Sequence, residues 1–158
     1  MLSYNIFIQK RKEVSGTINS IIEAIGISLG QEFGDGYEIR KEEGEQGLNK
    51  PCFLLSNIHS MGKSLPGKRY LRENQFCVRY IPWEEGKKKE ECYAAAERLF
   101  TCLAWLQAGG KPVRGGKMRC EVADGMLHFY VNYDIVVGKG PESVPVMEEV
   151  SSETLAKG

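Results

Sequence analysis

KKEECYAAAERLFTCLAWLQ, Lys88 to Gln107, is the longest stretch of this chain that a single periodicity explains from end to end. At about 100° per residue, Cys92, Ala95, Ala96, Leu99, Leu103 and Leu106 fall on one stripe, with Phe100 at its edge. Pro82 precedes the segment and Ala108-Gly109-Gly110 follows it, so the pattern predicts one helix that stops where glycine takes a left-handed conformation. Alanine, leucine, glutamate and lysine fill the interior, so propensity agrees with pattern. The other side of this helix carries Ala94, Thr101 and Trp105, with Arg98 beside them. An indole beside small residues on a face turned to water makes a dry surface that another protein, or the chain's own C-terminal segment, is expected to cover.

Working outward, Asp124-Gly125 is a two-residue turn of the kind that matches strand twist. It pairs Ala123 with Met126 and so fixes a register that sets Val122 opposite Leu127, Cys120 opposite Phe129 and Met118 opposite Val131 on an apolar face. Glu121 with His128 and Arg119 with Tyr130 fall on the polar one. A slip by one residue would turn every apolar side chain to water, so turn and pattern support one register. The strand continues through Tyr133, Ile135 and Val137 until Gly138, Gly140, Pro141 and Pro145 end regular structure.

Upstream, Ile18, Ile21, Ile22, Ile25 and Leu29 predict an amphipathic helix capped by Ser15 or Thr17 and closed by Gly30. Gly34-Asp35-Gly36 reads as a turn and Tyr37 to Lys41 as a brief strand. The acidic Glu42, Glu43 and Glu45 then read as a solvated loop. From Pro51 the run CFLLSNIHSM is apolar on both faces as far as Leu55, the signature of a strand covered on both sides. A loop over residues 62–68, turning at Pro66-Gly67, leads to a strand from Arg69 to Ile81 with Phe76, Val78 and Tyr80 on one face. Lys63, Lys68, Arg69 and Arg72 crowd this loop. The fold class expected is α+β: a largely antiparallel sheet of about five strands, two helices on one face, and a C-terminal β-hairpin.

The 158 residues suit one domain, expected over residues 17–138, with residues 1–16 a leader and 139–158 a flexible C-terminal tail. Lys12-Glu13-Val14 can be encoded by AAGGAGGT, a bacterial ribosome-binding sequence, so the leader also reads as untranslated DNA. No signal peptide or membrane span is read in it. Lysine plus arginine and aspartate plus glutamate both number 21, so no net field draws the chain to nucleic acid or to an anionic membrane. Five scattered cysteines without a CxxC pair read as small buried residues in a reducing compartment.

No catalytic, cofactor or metal site is expected. Cys120 and His128 suggest a nucleophile and base, but the hairpin register points the thiol into the core and the imidazole outward. His59 and His128 lie at ligand spacing from no other soft donor. Gly109-Gly110 and Gly115-Gly116 open no helix after a strand, so they read as a helix stop and a flexible strand start rather than a phosphate cradle. The four basic residues have only Tyr70 as an interleaved aromatic, which argues against sequence-specific nucleic-acid reading.

Glu45-Gln46-Gly47-Leu48, Pro51-Cys52-Phe53, Lys68-Arg69-Tyr70 through Phe76 to Tyr80-Ile81-Pro82, Ala95-Ala96-Glu97-Arg98-Leu99 and the closing hairpin together resemble a family of phage tail terminators from phages and prophages of Gram-positive bacteria. The likeness covers Thr17 to Val137. It implies a non-enzymatic structural protein that caps the tail tube as a ring, hexameric by expectation, and stops polymerisation. It also implies partners, the tail tube protein and the head connector protein, and a place in the virion tail after assembly in the host cytoplasm.

A closed ring of identical subunits needs two different complementary patches. Acidic Glu42, Glu43, Glu45 and basic Lys63, Lys68, Arg69, Arg72 supply a candidate pair. Ala94, Arg98, Thr101 and Trp105 are the other candidate interface. Through Trp105 the chain also reads as an adaptor or regulatory module for a protein partner, and a small hydrolase is the weaker rival.

Overall fold

Thr17 starts the first helix, its hydroxyl accepting a hydrogen bond from the Ser20 amide at 3.0 Å and so satisfying a donor that a helix start leaves open. The computed structural model describes residues 17–41, 47, 51–83 and 88–138. Helix α1 covers Ile18–Phe33 and ends at Gly34. Gly30 does not close it, as the sequence suggested. Its carbonyl accepts the Gly34 amide at 3.0 Å, so the helix runs one turn further. Ile21, Ile25 and Leu29, at the expected spacing, are fully buried.

The other elements are β1 (Glu38–Lys41), β2 (Cys52–Leu65), β3 (Arg69–Ile81), α2 (Lys88–Cys102), β4 (Trp105–Ala108), β5 (Lys111–Ala123) and β6 (Met126–Gly138). The strands form one six-stranded sheet in the order β1-β2-β3-β6-β5-β4, antiparallel except for the parallel β1–β2 pair. The α+β class stands, with one strand more than expected. Helix α1 touches β1 and β2 toward one edge and β4 at the other, so the sheet curls around it. Phe53, Leu55, Phe76, Val78, Tyr80, Leu127, Phe129 and Val131 face the helices in one core. Cys52 and Leu54, on the opposite face of β2, are buried as well, as the doubly apolar run required.

The extra strand corrects the reading of the organising stretch. Its helix ends at Cys102, and Trp105–Ala108 is a strand in which Leu106 and Ala108 are buried while Trp105 and Gln107 are exposed. Leu99, Leu103 and Leu106 satisfy a helical stripe, but Leu106 and Ala108 satisfy alternation equally well. Gly109-Gly110 decides between them. Both residues take positive φ, 63° and 82°, and Ala108 pairs with Lys111, which makes a two-residue hairpin turn rather than a helix stop.

The Asp124-Gly125 hairpin has the expected register from Ala123/Met126 to Arg119/Tyr130. There it shifts: Lys117, at φ 49°, and Met118 stand where β6 offers only Val131, and pairing resumes at Gly116/Asn132. Gly115 and Gly116 therefore lie inside β5 and are not a flexible start to it. The loop expected over residues 62–68 is also shorter, because β2 and β3 stay paired as far as Leu65/Arg69 and only residues 66–68 turn.

Candidate functional site

The pairing of β2, β3 and β6 continues well beyond the helices, through Leu65, Arg69 and Gly138. This arm carries the four basic residues. Because side chains alternate along a strand, the register divides them. Arg72 shares the helix-side face with Asn74 and Phe76, whereas Lys63, opposite Leu71, and Arg69 lie on the other face. Lys68 sits in the turn at φ 61°. Arg69 donates from Nε to the Pro66 carbonyl at 3.2 Å, and the Arg72 guanidinium lies 5.8 Å from the Tyr70 ring centroid. The basic set is thus a tip with charge on both faces, not one patch. Glu42, Glu43 and Glu45 lie outside the described residues.

The arm also holds apolar surface that the sequence reading passed over. Leu71 pairs with Val136, and Met61 lies on the same face one row away, with Met61 and Val136 both 55% exposed. The signal was present in Ile135-Val136-Val137, three consecutive apolar residues in an alternating strand, which put apolar side chains on both faces.

The second candidate surface divides between two elements. Ala94 and Thr101 are exposed on α2, while Trp105, 58% exposed, stands on the edge strand β4 with the Arg114 guanidinium 5.9 Å from its ring centroid. Arg98 is committed within the chain. Its guanidinium donates to the Glu32 carboxylate at 3.0 Å and to the Glu32 carbonyl at 2.6 Å, and lies 4.2 Å from the Phe33 ring centroid. The bond to Glu32 holds its pKa above the usual value. Arg98 therefore fastens the end of α1 to α2.

Where β4 leaves α2, the sheet forks. β5 pairs with β6 up to Gly115/Tyr133 and with β4 from Arg114 onward. The Gly115 amide donates to the Ala104 carbonyl at 2.8 Å, and the Tyr133 hydroxyl to the Leu103 carbonyl at 2.6 Å. Burial raises the Tyr133 pKa further, so the hydroxyl remains a donor. A Cβ at Gly115 would sit 2.6 Å from the Leu103 carbonyl oxygen, closer than any side chain tolerates. At the fork a cleft of about 440 Å³ is lined by Arg114, Lys117, Asn132 and Asp134 among others. Burial and the neighbouring Glu73 push the Asp134 carboxyl above its usual range, and Lys117 opposes them.

The cysteine-histidine idea fails on geometry, although one part of its reasoning needs correction. Cys120 pairs with Phe129 and His128 with Glu121, so thiol and imidazole lie on opposite faces. Cys120 is nevertheless exposed, because this stretch of β5 is a sheet edge that α2 does not cover. Partial burial and the Glu97 carboxylate both raise its pKa, the reverse of an activated nucleophile. Burial pushes Cys102 up to about 11. Among the described residues no group of three histidine, cysteine or acidic side chains is placed to hold a metal, and no helix is long and apolar enough to cross a membrane.

What the molecule presents is a packed body, a ladder that outruns its helices, and exposed edges and aromatics. No curated protein matches the chain. A family model described as phage tail terminator protein matches residues 20–145, which spans both helices, the whole sheet and the arm. The chain belongs to the phage tail terminator family.

Proposed function

We propose that the protein closes the finished tail tube as a homo-oligomeric ring, a hexamer, ends tube polymerisation and gives the head connector protein its docking surface. The carrying observation is the family match over most of the chain, which makes this a structural protein of the phage tail. The arm supports the reading, since among the described residues no helix packs over this paired ladder, and bare surface of that kind suits a neighbour. Assembly takes place in the host cytoplasm and the product is part of the virion tail. A ring closed by head-to-tail contacts joins two unlike surfaces: the arm's basic tip, with Lys63, Lys68, Arg69 and Arg72 spread over both its faces, on one copy, and Glu42, Glu43 and Glu45 on the next.

Reversing either charge set should block ring and tail assembly with the monomer still folded, and reversing both should restore part of it. Electron microscopy of tails from phage carrying each variant reads the outcome. Tails of normal length from both single reversals would leave Trp105 as the remaining interface candidate. The exposed Trp105 favours one other reading, an adaptor that binds a protein partner through this face. A stable monomer in light scattering that gains order only with such a partner would support it over the ring.

A further inference from the structure

β4 pairs with β5 only from Lys111 to Arg114, and β6 takes the other side of β5 from Gly115 to Ala123. Among the described residues, β5 is therefore an edge from Lys117 to Ala123, with alternate amides and carbonyls directed away from the sheet. The bulge at Lys117 protects one end of it. The helix side is not protected. Cys120 is exposed while its partner Phe129 is fully buried, and Tyr93 and Phe100 on α2 are 57% and 39% exposed. The Phe100 ring stands edge-on to Phe129 at 5.0 Å, one strand inward from Cys120, so an apolar step runs alongside the open backbone.

The cations along this edge suit an acidic visitor. Lys117 and Arg119 lie on it, Arg114 lies just beyond it, and the Lys88 ammonium reaches Gly125 at its far end. Glu97, Glu121 and Asp124 are the anions along it, and Asp134 lies near Lys117. The chain itself supplies a segment of the opposite character after Gly138. Residues 139–158 carry Glu142, Glu148, Glu149 and Glu153 against Lys139 and Lys157, with Val144, Val146, Met147 and Val150 around the central acidic pair. Extended segments bind sheet edges by adding a strand, main-chain bonds giving affinity and side chains specificity. β6 carries the chain away from its own Lys117–Ala123 edge and ends at Gly138 in the arm, beyond the part of the sheet that β5 pairs with.

We infer that residues 144–153 of one copy add as a strand to the Lys117–Ala123 edge of the next, with Glu149 on the face of Lys117 and Arg119 and Val144, Val146 and Val150 on the opposite face, over Cys120 and Phe100. The inference rests on the ring reading for the identity of the donor copy.

Two measurements on the full chain test it. In the first, cysteine is placed at Val144, Val146 or Val150 in turn and the protein is mildly oxidised. At least one position should form disulfides to Cys120 between copies, seen as multimers in non-reducing electrophoresis and lost with Cys120→Ser. Cross-links only within a chain, or none at any position, would overturn the inference. In the second, a synthetic peptide of residues 141–158 is added and hydrogen exchange is followed. Amides of residues 118–123 should slow at least tenfold, and a peptide with Glu148→Lys and Glu149→Lys should protect them far less. Fast exchange there both with and without the peptide would also overturn it. Light scattering on the same samples separates the two readings. A ring with an unprotected β5 edge refutes the added strand alone, whereas a persistent monomer whose edge the peptide protects counts for the edge site and against the ring.

Discussion

The ladder of β2, β3 and β6 has two halves that differ in little except what covers them. In the half from Phe76 to Tyr80 and from Leu127 to Tyr133, every helix-facing side chain is buried beneath α1 and α2. In the half from Met61 to Arg72 and from Asp134 to Gly138, pairing is just as regular, but among the described residues no helix lies above it: Tyr70, Arg72, Ile135 and Val137 on the helix-side face are only partly buried, and Met61 and Val136 on the other face are more than half exposed. Backbone hydrogen bonds are alike in both. Burial, at about 25 cal/mol per Å² of apolar surface, is concentrated in one. The covered half should therefore govern stability and the bare half association, so that substitutions in the two read out in different experiments.

The largest expected effect belongs to the covered half. Leu103 is fully buried where α2 gives way to β4, and Leu103→Ala should cost on the order of 2–5 kcal/mol in chemical denaturation, a large part of the roughly 5–15 available. An unchanged midpoint would break the comparison outright.

A glycine pair sharpens it. Gly115→Ala forces a Cβ against the Leu103 carbonyl, a backbone atom that cannot turn aside, and should cost about 1–3 kcal/mol. Gly62→Ala, in the arm, meets nothing within 4 Å and should leave the denaturation midpoint where it is. Equal effects would show that the two halves are not distinguished by packing.

Smaller still is Arg98→Ala. The Arg98–Glu32 pair is about 40% exposed on both sides, so solvent screening limits its loss to about 1 kcal/mol or less, even with the stacking on Phe33 included. Thermal melting in low and high salt checks this, with the difference from wild type expected to shrink as salt rises. A large, salt-independent loss would make Arg98 part of the core.

The smallest effect on stability is expected at Val136. Val136→Asn in the bare arm should leave the melting curve of the monomer unchanged while reducing assembly, read by the yield of full-length tails. A clear drop in melting temperature would mean that the arm is covered in the monomer after all.

Several elements were legible from one-dimensional pattern. Thr17 with the isoleucines that follow it defined α1, alternation defined β3 from Arg69 to Ile81, and Asp124-Gly125 with its flanking apolar residues fixed the β5–β6 register as far as Arg119/Tyr130. In each case neighbours in sequence are also neighbours in space, so turn chemistry and period suffice. The candidate surfaces were legible only in part. Residue types such as Trp105 and the lysine and arginine cluster stood out, but their arrangement did not.

What only the tertiary structure decided depends on which segments lie next to one another. Leu103 and Leu106 suit a helix or a strand, and the choice at Trp105 was made by a distant partner, Val113 opposite Leu106. Cys120 lies on the apolar side of its hairpin, as its pattern said, yet it is exposed because β4 stops at Arg114 and leaves it at an edge. Lys63, Arg69 and Arg72 are close in sequence, yet a long paired hairpin divides them between two faces. Periodicity records which way a side chain points. Whether anything covers it there is set by non-local contacts, which only the folded chain defines.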